Sequence, residues 1–269
     1  MLVYAAAVTF PHENVQWLMN EFALRYTHAR LYQVWGWIGI CLAVIFTVIV
    51  LLRLRRQTMR ATLLLSWIVT LALVWSTWRS FTANNTELVH YPQYLPEGMA
   101  LVALTLSPAE SLAWIVIFGS LDEGYQYAVL SWWRAVPFDF NDVYMDLLGG
   151  ALGVVLGMVF LQCSRRTAPQ DPPLRKRPGI AAIIGILVTG TLLWASGLML
   201  LFEDKADKRH WFALSRFRAP TFWFQVTTNG PNRYHTLSPV EGPLLILATI
   251  ALYAFLDRRV RISTRPKQL

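Results

Sequence analysis

Side chains able to move protons or hold cations gather in one part of this sequence, residues 87–146. Glu87, His90, Tyr91, Tyr94 and Glu97 come first. Asp122, Glu123, Gln126 and Tyr127 follow, and Arg134, Asp139, Asn141, Asp142 and Asp146 complete the group. Spacing sorts them onto faces. His90 and Tyr94 stand i, i+4, with Glu97 three further on, so a helix unbroken by Pro92 and Pro96 puts all three on one side. Glu123 and Gln126 stand i, i+3, with Asp122 about 100° away round the helix. Asp139, Asp142 and Asp146 are spaced three and four, and Gly149, Gly153 and Gly157 continue their stripe with residues small enough to let another backbone come close. Crowded carboxylates need a proton, a metal, an arginine or a ligand ammonium to balance them. A histidine among them allows a hard or borderline metal ion, and paired carboxylates suit general acid–base hydrolysis. No H-E-x-x-H, G-x-S-x-G, P-loop or dinucleotide fingerprint is present, so no motif names a reaction. Histidines 12, 28, 210 and 235 are scattered and add no ligand set.

The elements carrying these residues belong to a membrane protein. Hydrophobic residues make up 55% of the 269 and charged residues only 15%, too apolar for an ordinary soluble domain. A net charge of +8 would suit nucleic acid, but the basic residues sit in short blocks beside long apolar runs, as helix flanks do at a membrane. Nucleic acid is therefore not an expected partner. Cys41 and Cys163 make no disulfide framework or zinc site, and Met1–Phe10 lacks the basic flank of a cleavable signal peptide.

A crossing takes about 20 apolar residues. Val34–Leu52, Ala61–Trp78, Val143–Cys163 and Ile180–Phe202 meet that plainly. Pro243–Leu256 meets it if it starts near Leu237, where Pro239 and Gly242 threaten the first turn. Glu87–Leu106 and Ser111–Trp133, parted by Ser107-Pro108, are apolar at one end and polar at the other. The expectation is an all-α, polytopic transmembrane helix bundle of about seven spans. With the N-terminus outside and the C-terminus cytoplasmic, the basic blocks at 53–60, 165–177 and 258–267 all lie in the cytoplasm. The polar ends of the third, fourth and fifth spans then all point outward. The expected organisation is an extracytoplasmic interfacial segment at 1–33, marked by Trp17, Leu18, Phe22, Leu24 and Tyr26, and a five-span core at 34–163. A cytoplasmic Pro/Arg-rich loop at 164–179 and a sixth span at 180–202 come next. An extracytoplasmic aromatic and basic loop at 203–242 leads to a seventh span and basic tail at 243–269.

His90-x3-Tyr94, Glu123-x2-Gln126, Arg134, Phe138-Asp139, Asp142, and Gly149 with Gly153 together resemble the VanZ-like integral membrane family. Its pattern runs H-x3-Y, E-x2-Q, R-x-F-D-x2-D-x3-N-x2-G-x3-G. The resemblance covers about residues 84–160, within a region of about 61–163 that includes the second span. Asp146 stands at the family's asparagine, and the step from Arg134 to Phe138 is longer by two residues. The resemblance implies a multi-pass protein of the bacterial plasma (inner) membrane with a role in the cell envelope. The family is named for a member linked to resistance to teicoplanin, a glycopeptide that binds lipid-linked cell-wall precursors. It implies no particular reaction and no cofactor. The expected polar centre is Glu123, Gln126, Asp139 and Asp142, with His90 and Tyr94 facing it, Asp146 beside it, and Arg134 holding an anionic group or a carboxylate. Expected partners are membrane lipids and a lipid-linked or glycopeptide ligand at the outer leaflet, which the protein binds or modifies. Two other readings stay open. One is a metal-dependent membrane hydrolase or transferase using His90 and the carboxylates. The other is a proton-coupled transporter, against which the apolar inner halves of spans three to five count.

Overall fold

A computed structural model describes residues 17–18, 21–22, 24–55, 60–82, 86–127, 138–161, 177–201, 212–213, 221–223 and 233–264. Its seven long helices are α1 (His28–Leu54), α2 (Arg60–Phe81), α3 (His90–Thr105), α4 (Pro108–Tyr125), α5 (Phe140–Leu161), α6 (Pro178–Ala195) and α7 (Glu241–Thr264). A 3-10 turn, Thr86–Val89, leads into α3, and a two-residue parallel pairing joins β1 (Met199–Leu200) to β2 (Phe212–Ala213).

Four of these helices are long and apolar enough to cross a membrane: α1 from Arg30, α2, α5 and α6. The apolar part of α7, Glu241–Leu256, is shorter. Helices α3 and α4 have 16 and 18 residues. At 1.5 Å per residue these rise about 24 and 27 Å, less than a hydrocarbon core of about 30 Å.

Several boundaries differ from those read in the sequence, each for a local reason. Helix α1 starts at His28, inside the expected interfacial segment, because Thr27 caps it by accepting from the Arg30 N–H. Residues 17–18, 21–22 and 24–26 are helical and hold Trp17, Phe22 and Leu24 exposed. Helix α3 runs unbroken past both prolines. Pro92 falls in its first turn, where no N–H is needed, and Pro96 is carried inside it. Helix α6 ends seven residues before the expected Phe202. Gly197 adopts φ +74°, and the Gly197 and Leu198 N–H groups close back on the Trp194 and Leu193 carbonyls. This is a Schellman stop that glycine makes without strain. At α7, Ser238 and Glu241 form a reciprocal capping box. Ser238 Oγ accepts from the Glu241 N–H (3.1 Å), and the Glu241 carboxylate accepts from the Ser238 N–H (2.9 Å). Pro239 sits harmlessly inside that turn. The fourth helix ends at Tyr125; the rest of its expected length lies largely outside the described residues.

Helix α5 is the centre of the molecule. Its apolar window is 94% buried, against 11% for α1 and for α6, whose Ile184, Val188 and Leu192 face outward. Glycine decides how close its neighbour α3 comes. A Cβ on Gly149 would lie 2.6 Å from the Tyr91 carbonyl oxygen, one on Gly153 would overlap the Leu95 carbonyl, and one on Gly98 of α3 would overlap the Gly150 carbonyl. The expected small-residue stripe therefore has a named partner, and the contact is reciprocal. Helices α2 and α7 also pack on α5 and on each other, Tyr144 of α5 meeting Thr249 of α7 (3.2 Å) and Thr70 of α2 meeting Tyr253 of α7.

Helix directions follow from end contacts. Arg53 lies over Phe160, so the ends of α1 and α5 coincide. Glu110 accepts from the Gly179 and Ile180 N–H groups (2.6 and 3.2 Å), so the starts of α4 and α6 lie together. Asn141 bonds the Phe81 carbonyl, so the end of α2 meets the start of α5. Successive helices thus alternate in direction.

Candidate functional site

The polar residues meet where α3 and α5 begin and α4 ends. On α3, the i, i+4, i+7 spacing turns His90, Tyr94 and Glu97 toward α5, all three buried. On α4, Asp122 and Glu123 are buried in the last turn and Gln126 caps it. Asp139 is the N-cap of α5, its Oδ1 accepting from the Asn141 N–H at 2.8 Å. Asp142 lies in the first turn of α5, leaving its side chain to the site.

His90 is the hub of this cluster. Its Nδ1 lies 2.7 Å from Asp146 Oδ1, and its Nε2 lies 3.8 Å from Asp142 Oδ2. A carboxylate only accepts, so Nδ1 carries the proton toward Asp146 and Nε2 faces Asp142. Charges on Asp146, Asp142 and Glu123 all act on the ring. Glu123 joins the third helix to the group: its Oε1 accepts from Gln126 Nε2 (3.0 Å) and its Oε2 from the Asp139 N–H (3.2 Å). Tyr94 lies within the electrostatic reach of Asp146, Asp122, Glu97 and Glu123. Seven of the eight expected residues are thus brought together: His90, Tyr94, Glu123, Gln126, Asp139, Asp142 and Asp146. Arg134 lies outside the described residues.

The cluster is nearly closed to bulk solvent. The His90 and Asp146 side chains are 2% and 0% exposed, and the Asp142 side chain, at 14%, offers the way in. The Asp146 carboxylate gives His90 a close acceptor from α5. Among the described residues no three His, Cys, Asp or Glu side chains are placed to hold a metal ion. What the arrangement offers is an oriented imidazole with acidic groups on both sides, a set suited to proton transfer and to holding a positively charged group.

Four residues outside the expected centre also matter. Asp122 and Glu97 are buried beside Asp146, and their spacing alone placed them nearby. Asn141 uses its whole amide: Nδ2 donates to the Phe81 and His235 carbonyls (2.9 Å each) and Oδ1 accepts from the Leu237 N–H (2.8 Å). It clamps α2 and the strand-like segment before α7 beside the site. His235, scattered by sequence, stacks on Phe222 with centroids 3.9 Å apart, and its Nε2 lies 3.2 Å from Glu241. Of the expected aromatic loop, Phe222 and Trp223 are described and exposed; residues 210–211, 216–218 and 224 lie outside the described set. At the opposite end Glu110 also accepts from Trp114 Nε1 (3.0 Å), a role no sequence signal marked.

No family model matches the chain, and neither a curated protein nor a solved structure does so.

Proposed function

We propose that this chain is a bacterial plasma-membrane protein that binds or modifies a lipid-linked envelope component at the outer leaflet, through the His90 cluster. Seven alternating crossings are part of the reading, with α3 and α4 completing the count from within the bundle and the N-terminus outside. The alternation of helix directions supports it, because Arg53, Arg60 and Arg177 then share the end away from His90, as cytoplasmic flanks would. The motif resemblance to VanZ-like proteins supports an envelope role and selects the same residues.

The observation that carries the reading is the oriented imidazole: His90 held by Asp146 through Nδ1, with Nε2 facing Asp142 at the accessible end. A group so held takes a proton from a ligand hydroxyl or water, or accepts a bond from a ligand ammonium. The surplus of carboxylates favours the amine-bearing portion of such a ligand over its phosphates.

The test uses the full chain in lipid nanodiscs and a cell-wall lipid precursor labelled on its headgroup. Saturable binding is expected, weakened at least about tenfold in Glu123→Gln/Asp142→Asn, the loss of one charge-assisted bond. Absence of saturable binding, or binding indifferent to that pair, would overturn the reading.

A further inference from the structure

Below His90 lies a second set of groups that ligand contact does not explain. Asp122 of α4 is 1% exposed, and neither of its oxygens has a hydrogen-bond partner. Glu97 Oε1 of α3 and Asp146 Oδ2 of α5 are likewise buried without a partner. We propose that these three carboxylates, one from each helix, share a proton that His90 delivers to and withdraws from Asp146, making the site a proton store loaded from the exposed end.

Hydrogen-bond bookkeeping carries the first step. Ionised carboxylates only accept, so with all three ionised, both oxygens of Asp122, Oε1 of Glu97 and Oδ2 of Asp146 stay buried without a donor. One proton turns a carboxyl group into a donor to its neighbour. Helix packing brings the groups to one place: Gly119, one turn before Asp122, meets Asp146, and Gly98, next to Glu97, meets Gly150, one turn beyond Asp146. Space carries the second step. Asp146 Oδ2 lies 2.7 Å from where a Cβ on Gly119 of α4 would stand, so the helices meet there on glycine. No described set of side chains is placed for a metal. A proton is the one cation that needs neither a cavity nor a coordination sphere.

The transfer balances at His90. The Nε2 lone pair takes a proton from water or a ligand hydroxyl, whose O–H electron pair stays on that oxygen. The Nδ1–H bond then breaks, its electron pair stays on nitrogen, and Asp146 Oδ1 gains the proton. The ring is neutral again with its proton on Nε2, and the reverse sequence empties the store. Other ionisable groups facing the trio are Tyr94 on α3, Glu123 on α4 and Asp142 on α5. From α7, Tyr253 is engaged by Thr70 of α2, and Thr249 engages Tyr144 of α5. Deeper in the bundle, Leu147–Val159 of α5 holds no titratable side chain, and neither does Gly98–Thr105 of α3. Along these two helices the route therefore stops at the trio and returns the way it came.

Infrared spectroscopy of the full chain in nanodiscs, with no ligand added, tests this separately from ligand binding. At neutral pH a carboxylic-acid C=O band that shifts in heavy water is expected, altered in Asp146→Asn and in Glu97→Gln or Asp122→Asn. A wild-type spectrum holding carboxylate bands alone, or an acid band untouched by all three variants, overturns the store. Should Asp146→Asn fail to fold, the other two variants carry the same decision. After a pH jump the band's response is expected to slow by about a hundredfold in His90→Asn, the lower range for a positioned proton-transfer group. An unchanged rate overturns the role of His90.

Discussion

Replacing Asn141 by leucine, which has nearly its shape, removes every hydrogen bond that the side chain makes. The Phe81 and His235 carbonyls lose their donor and the buried Leu237 N–H loses its acceptor. Each such bond contributes about 1 kcal/mol net, so three give about 3 kcal/mol, more where the stranded groups stay out of water. For a chain of this size about 1 kcal/mol moves the Tm by roughly 2–4 °C, so Asn141→Leu is expected to melt roughly 6–12 °C below the wild type. Tryptophan fluorescence on heating in detergent reads this directly. Asn141→Asp keeps an acceptor for Leu237 but gives up both donated bonds, and should fall between the two. Hydrogen exchange at 233–240 should rise in the leucine variant, because the His235 carbonyl and the Leu237 N–H both lose their bonds to Asn141. A melt within about 1 °C of wild type with unchanged exchange refutes the clamp.

Two more expectations read the packing elsewhere. Glu110→Ala strips the start of α6 of its remote cap and should lower stability by about 2–4 kcal/mol, with freer cysteine crosslinking between α4 and α6; normal stability and unaltered crosslinking would count against the cap. Gly153→Ala drives a methyl into the Leu95 carbonyl and should cost about 1–3 kcal/mol, while Gly185→Ala on α6, with nothing within 4 Å, should be neutral or mildly stabilising. Equal melting of these two variants would mean that α3 does not rest on the α5 glycines.

Much of the site was legible because helix geometry converts spacing into faces. The intervals 90-94-97 and 139-142-146 needed no tertiary knowledge, and the glycines at 149, 153 and 157 announced a close neighbour. Apolar length likewise marked α1, α2, α5 and α6. The same local logic left the third helix uncertain at Pro92 and Pro96, because a proline's effect depends on whether its turn needs the missing N–H. It overran α6, since Gly197 ends a helix only where the chain takes up a left-handed turn.

Partners were another matter. Asn141 finds the His235 carbonyl 94 residues away, Glu110 finds Gly179 at 69, and His90 finds Asp146 at 56. Sequence by itself determined that this chain builds apolar helices and that acidic and imidazole groups share faces at one end of three of them. Those properties follow from the helical repeat and from transfer out of water, both local. Only the tertiary structure decided that Asp146 rather than Asp142 orients His90, that Asp139 caps α5, and that Asp122 and Glu97 lie buried without partners. Those outcomes depend on how close two backbones come, which glycine packing sets between segments far apart in the chain.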